Sequence, residues 1–160
     1  MCSNRTFSGL IAALAFLTIP TWSLAQETLV LAGGGFNTAQ RAYADLTAVH
    51  PKHVTFGVQA GMTGVKLGAG VWVQPNPNSY GALAVRGVFV RTWGSPIGLR
   101  GDRSYVGAEV EGSVIFIPNF HVSVVWPTER RDAWDSAAVT FGVGFRIPIN
   151  IGSVWMGAGS

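Results

Sequence analysis

The chain is short of charge, of cysteine and of long apolar runs, and each shortage closes off a class of protein. Only 12% of its 160 residues are charged, about half of the roughly 25% usual for a water-soluble domain. Its single cysteine, Cys2, lies ahead of the first apolar run, so the rest of the chain has neither disulfides nor a thiolate metal site to hold it. Beyond residue 25 no apolar run approaches the roughly 18 residues that a membrane helix needs. Any membrane contact must then be made by strands or by a surface helix. The formal net charge is +3 and no basic cluster is longer than Arg130-Arg131, which excludes a nucleic-acid partner, since that needs a concentrated patch.

Residues 1–25 have the three-part form of a secretory signal peptide. Arg5 is their only charge, an apolar run extends from Leu10 to Ile19, and Pro20 precedes a small-x-small site at Ser23-Leu24-Ala25. The run is about half the length of a membrane anchor. Cleavage after Ala25 is expected, leaving residues 26–160 as one domain.

What the chain has in quantity is glycine, 21 residues, and an alternation of period two that recurs in segment after segment. Val54, Phe56, Val58, Ala60 and Met62 fall on one face, opposed to Thr55, Gly57, Gln59, Gly61 and Thr63. After a tight turn at Thr63-Gly64, Val65, Leu67, Ala69, Val71 and Val73 oppose Lys66, Gly68, Gly70, Trp72 and Gln74. This spacing predicts a hairpin.

Pro75-Asn76-Pro77-Asn78 breaks the sheet, and a strand from Tyr80 to about Trp93 places Arg86 and Arg91 on opposite faces. Ser95–Asp102 is expected to form a loop. Next, Val106, Val110 and Val114 oppose Tyr105, Glu109, Glu111 and Ser113. Pro118-Asn119 is expected to turn the chain, and Phe120, Val122, Val124 and Trp126 then oppose His121 and Ser123. In the last clear strand Val139, Phe141, Val143, Phe145 and Ile147 oppose Thr140, Gly142, Gly144 and Arg146. Strands at Thr28–Ala32 and Ile151–Met156 bring the expected number to eight.

One segment departs from this pattern. Between Asn37 and Pro51, Ala39, Ala42, Tyr43, Leu46 and Val49 recur at helical spacing, with Asn37 placed to cap, Gln40 three residues on, and Pro51 to end the turn. A short helix or ordered loop is expected at residues 37–50, with Gly33-Gly34-Gly35 as a flexible join before it.

Alternation alone does not separate a soluble sheet from a membrane one. The second face does, because it carries Gly, Thr, Gln, a Trp and few charges, which suits a crowded barrel interior better than water. The expected fold class is therefore all-β, an antiparallel up-and-down β-barrel of about eight strands with its apolar face toward lipid.

With its signal peptide, its lack of later cysteine and its G-x-G strand Val139–Phe145, the chain resembles the small outer-membrane β-barrel proteins of Gram-negative bacteria over roughly Val54 to Ile147. That resemblance implies an outer-membrane location, membrane lipid as the partner, and a structural or binding role. A soluble secreted or periplasmic barrel with its apolar faces turned inward, around a small apolar ligand, is the alternative.

His121-Val122-Ser123 places an imidazole and a hydroxyl on one strand face, as nucleophilic catalysis requires when an acid orients the base. Glu129, Asp132 and Asp135 are available acids. The arrangement, with Arg146-Ile147-Pro148-Ile149, is similar to the lipid A deacylase barrels, although the Asn that follows the Ser in that family is Val124 here. The resemblance implies an envelope lipid hydrolase with His121, Ser123 and Asp135, or Glu129 as the acid.

Arg86, Glu109, Glu111 and Arg146 form a second group, expected in the lumen as paired charges that fill the barrel. No cofactor is indicated. Gly33-Gly34-Gly35 lacks the P-loop continuation, and His50 and His53 lack a third metal ligand.

Overall fold

The computed structural model describes residues 28–73, 81–114, 117–129 and 136–149. They contain eight strands: β1 (Leu29–Asn37), β2 (Arg41–Val49), β3 (Val54–Gly61), β4 (Gly64–Val73), β5 (Gly81–Thr92), β6 (Ser104–Val114), β7 (Ile117–Pro127) and β8 (Ala138–Pro148). Each pairs antiparallel with its neighbour, and β8 returns to β1 through pairs such as Arg146 with Gly33 and Phe145 with Gly34, closing the barrel. Closure leaves no strand at a free sheet edge among the described residues.

The alternation sorts the two faces as expected. Phe56, Met62, Leu67, Val71, Phe89, Val110, Phe120, Phe141 and Phe145 stand exposed on the outer wall, while Thr55, Gln59, Lys66, Arg86, Glu109, Glu111, His121, Ser123 and Arg146 are buried in the lumen. Arg91 lies on the outer face of β5, opposite to Arg86. Every strand but β2 adds a large exposed apolar side chain to this outer belt. On β2 the outward positions are Ala42, Ala44, Leu46 and Ala48.

The short helix expected at residues 37–50 is not there. The segment is instead the β1–β2 hairpin, in which Asn37 pairs with Arg41 and Leu29 with Val49. The helical spacing of its apolar residues coincides with a second reading of period two, since Tyr43, Asp45, Thr47 and Val49 also alternate with small residues and Leu46. β2 pairs on both sides, with β1 and with β3, whereas one helix would leave the barrel open.

The local capping interaction does form, but it serves a turn: Asn37 Oδ1 accepts from the Gln40 amide at 2.6 Å. Arg41 follows with φ at 58°, giving the three-residue hairpin loop its left-handed closing residue.

Two smaller expectations also change. Gly33-Gly34-Gly35 is part of β1, and Pro118-Asn119 lies within β7, where Asn119 is buried and pairs with Ser113. The register shift between Ser113 and Val114 marks a β-bulge at this corner. Residues 1–25, Pro75–Asn78 and Ile151–Met156 lie outside the described residues.

The barrel has two unlike ends. The turns 38–40 and 62–63, the loop 93–103 and residues 128–129 and 136–137 share one, here called the loop end; the turn 50–53 and residues 28 and 149 share the other. An apolar cluster fills the lumen near each. Ala39, Val88, Val90, Tyr105 and Val125 lie at the loop end, and Val49, Trp72, Ala82 and Ala84, with Leu29 and Leu31, at the other.

Glycine makes room between these plugs. A Cβ at Gly142 would overlap the His121 ring, and one at Gly144 would fall 2.5 Å from Tyr43 Oη and 2.8 Å from Asn119 Oδ1. Gly142→Ala is therefore expected to destabilise the barrel by about 1–3 kcal/mol through overpacking. Gly87→Ala serves as the control, because an added methyl there meets nothing nearer than Ala69 O at 3.9 Å. Urea unfolding midpoints of the two variants check this, and equal midpoints would show that the glycine wall is not needed for packing.

Candidate functional site in the barrel lumen

The middle layer of the lumen is built from charged side chains on five strands. Asp45 of β2, Lys66 of β4, Arg86 of β5, Glu109 and Glu111 of β6, and Arg146 of β8 all point inward and are buried. They do so because each occupies an inward position of the period-two pattern, where neighbouring glycines leave volume. Gly57 and Gly68, for example, lie against the Arg86 side chain.

Arg146 forks between two acids. Its Nε donates to Asp45 Oδ1, its Nη2 to Asp45 Oδ2 at 3.0 Å, and its Nη1 to Glu111 Oε1. Arg86 Nη2 donates to the second Glu111 oxygen at 2.8 Å, and Arg86 Nη1 lies 3.8 Å from Glu109 Oε1. Lys66 Nζ donates to Glu109 Oε2 at 2.5 Å.

Taken in order, Asp45, Arg146, Glu111, Arg86, Glu109 and Lys66 alternate in sign, and their formal charges cancel. Alternation is what makes such burial tolerable, because a charge removed from water is costly unless an opposite charge and hydrogen bonds replace the solvent.

Neutral groups extend the network at both flanks. Ser123 Oγ donates to Glu109 Oε2 at 2.9 Å, and Thr47 Oγ1 to Asp45 Oδ1 at 3.3 Å. Toward the loop end Asn37 Nδ2 donates to Gln40 Oε1 at 2.7 Å and Gln40 Nε2 to the Gln59 carbonyl at 2.9 Å. These bonds tie the turn 38–40 into the lumen.

The structure brings Arg86, Glu109, Glu111 and Arg146 into one network, and adds Asp45 and Lys66. Lys66 was visible as a cation on the inward face of its strand. Asp45 was hidden by the helical spacing around it; its alternation with Tyr43 and Thr47 was the available signal.

His121 and Ser123 also share the lumen, 2% and 1% exposed. Ser123 gives its hydroxyl proton to Glu109, and neither His121 ring nitrogen is hydrogen-bonded among the described residues. The imidazole meets Tyr43 edge-on, with ring centroids 6.0 Å apart. Glu129 is exposed beyond the loop end of β7 and is not brought to the pair. Asp132 and Asp135 lie outside the described residues. Among the described residues no cluster of His, Cys, Asp and Glu is arranged to hold a metal.

Comparison with protein-family models, with curated proteins and with solved structures finds no match to this chain. The functional reading therefore rests on its own geometry.

Glu111 holds two guanidiniums, so Glu111→Ala is expected to cost about 3–5 kcal/mol, the range for breaking a buried pair from one side. Ser123→Ala removes one neutral donor and is expected to cost about 1 kcal/mol. Urea titration of the folded barrel separates the two, and similar midpoints would mean that the charge ladder contributes no more than a single hydroxyl.

Proposed function

We propose that the chain is an outer-membrane β-barrel protein with a structural or binding role, its lumen closed and its contacts made by the outer wall and the loops. The observation that carries this reading is the inversion of the two faces. Phe, Val, Leu and Ile side chains stand exposed around the barrel, while Asp45, Lys66, Arg86, Glu109, Glu111 and Arg146 are buried inside.

In water that arrangement exposes a continuous apolar surface far larger than soluble monomers tolerate. In a bilayer it is the expected one. Strands of 8–12 residues also suit the roughly 9–11 that tilted transmembrane strands require. A soluble barrel with an apolar ligand inside calls for the opposite orientation of the faces.

Apolar clusters lie in the lumen on both sides of the charge ladder, which supports a closed interior. The longest wholly described connection, 93–103, lies at the loop end, as do the outward Trp93 and Trp126. Long loops with an aromatic girdle fit the extracellular side of such barrels.

The expected outcome of expression with fractionation is a membrane-bound protein that needs detergent for extraction and whose gel mobility changes between unheated and boiled samples. A soluble periplasmic product of unchanging mobility would overturn the reading. The same cells test the lipid-hydrolase alternative: lipid A is expected to keep its acylation pattern whether wild type, His121→Ala or Ser123→Ala is expressed. Deacylation lost in both variants would favour the hydrolase instead.

A further inference from the structure

One patch of the outer wall breaks the apolar belt with polar groups aligned across three strands. Arg91 on β5 pairs with Ser104 on β6, and the Thr128 amide, just past β7, donates to the Ser104 carbonyl at 2.9 Å. The three side chains therefore form one row on the outer face. They also converge: Arg91 Nη1 donates to Ser104 Oγ at 3.2 Å, and Thr128 Oγ1 to the Ser104 carbonyl at 3.2 Å.

The next row toward the barrel middle is wholly apolar, since Phe89 pairs with Val106 and Val106 with Trp126. On the other side Trp93 is pinned beside the turn 62–63 by a bond from its Nε1 to the Met62 carbonyl at 2.8 Å. A cation and two hydroxyls thus sit at the loop-end margin of the belt, between an apolar row and an indole.

From this placement we infer that Arg91, Ser104 and Thr128 form a clasp for the phosphorylated sugar headgroup of an outer-leaflet glycolipid. Arg91 takes the phosphate, the two hydroxyls face sugar hydroxyls, and the acyl chains lie along Phe89, Val106 and Trp126. The inference rests on the membrane reading above, which puts this margin at the outer headgroup level. Guanidinium suits the partner because its fork matches phosphate oxygens. The hydroxyl pair beside it favours a sugar over a glycerol phosphate.

The full-length protein, extracted in detergent, is incubated with lipid A, with dephosphorylated lipid A and with phosphatidylglycerol, and native mass spectrometry reads the bound fraction. Lipid A is expected to bind in preference to the other two. Arg91→Gln lowers its affinity about tenfold, the scale of one lost charge-assisted hydrogen bond, and Arg91→Lys restores part of it. Combined Ser104→Ala and Thr128→Ala weaken binding by a smaller factor.

Equal binding by wild type and Arg91→Gln overturns the clasp, and phosphatidylglycerol held as tightly as lipid A overturns the glycolipid assignment. Gel mobility of unheated and boiled portions is read on every sample. A sample without the mobility shift reports failure of the barrel reading, whereas a shifted sample with Arg91-independent binding reports failure of the clasp alone.

Discussion

Burial of charge in the barrel lumen is the constraint on which the other features depend. Six ionisable side chains, from Asp45 to Lys66, are enclosed where water cannot serve them, and each must find its opposite. They find it only across strands. Arg146 reaches from β8 to β2 and β6, Arg86 from β5 to β6, and Lys66 from β4 to β6. A slip of one residue in any of these registers would turn a charge out toward the apolar wall and leave its partner alone inside. The ladder therefore specifies register as well as filling space.

Such a ladder needs volume, and the glycines supply it. Long side chains such as Arg86 cross the lumen over strands whose inward positions are Gly57 and Gly68, while His121 and Tyr43 lie over Gly142 and Gly144. This resolves an oddity of composition: a chain with many glycines, which ordinarily weaken strands, nonetheless forms eight strands among its described residues. Closed pairing holds the backbone, and bulk on one side of the barrel is matched by emptiness on the other.

The same logic explains which features were legible in the sequence. Where a strand has one apolar face, as from Val54 to Val73 or from Val139 to Ile147, alternation gave the faces correctly and placed Glu109 and Glu111 together inside. It failed at β2, whose outward residues are mostly alanines. With little contrast between faces, the apolar residues there fit periods of 2 and 3.6 equally, and the bond from the Gln40 amide to Asn37 belongs to helix caps and tight turns alike. Asp45 was lost with that strand. At Pro118-Asn119 composition signalled a turn, but the bulge beside Ser113 lets a proline enter the strand. The number of strands agreed although one expected member, Ile151–Met156, lies outside the described residues and β2 takes the place of the expected helix.

Sealing the lumen also determines where function can reside. A barrel with an aqueous pore can act through its interior, but here Tyr105 with Val125 at one end and Trp72 with Val49 at the other close off the polar layer. His121 and Ser123 lie within that layer, both buried, with the Ser123 hydroxyl donating to Glu109. The outer wall meets its surroundings with no such barrier. Its polar interruption at Arg91, Ser104 and Thr128, bordered by Trp93 and Trp126, is where a cation and two hydroxyls meet those surroundings directly.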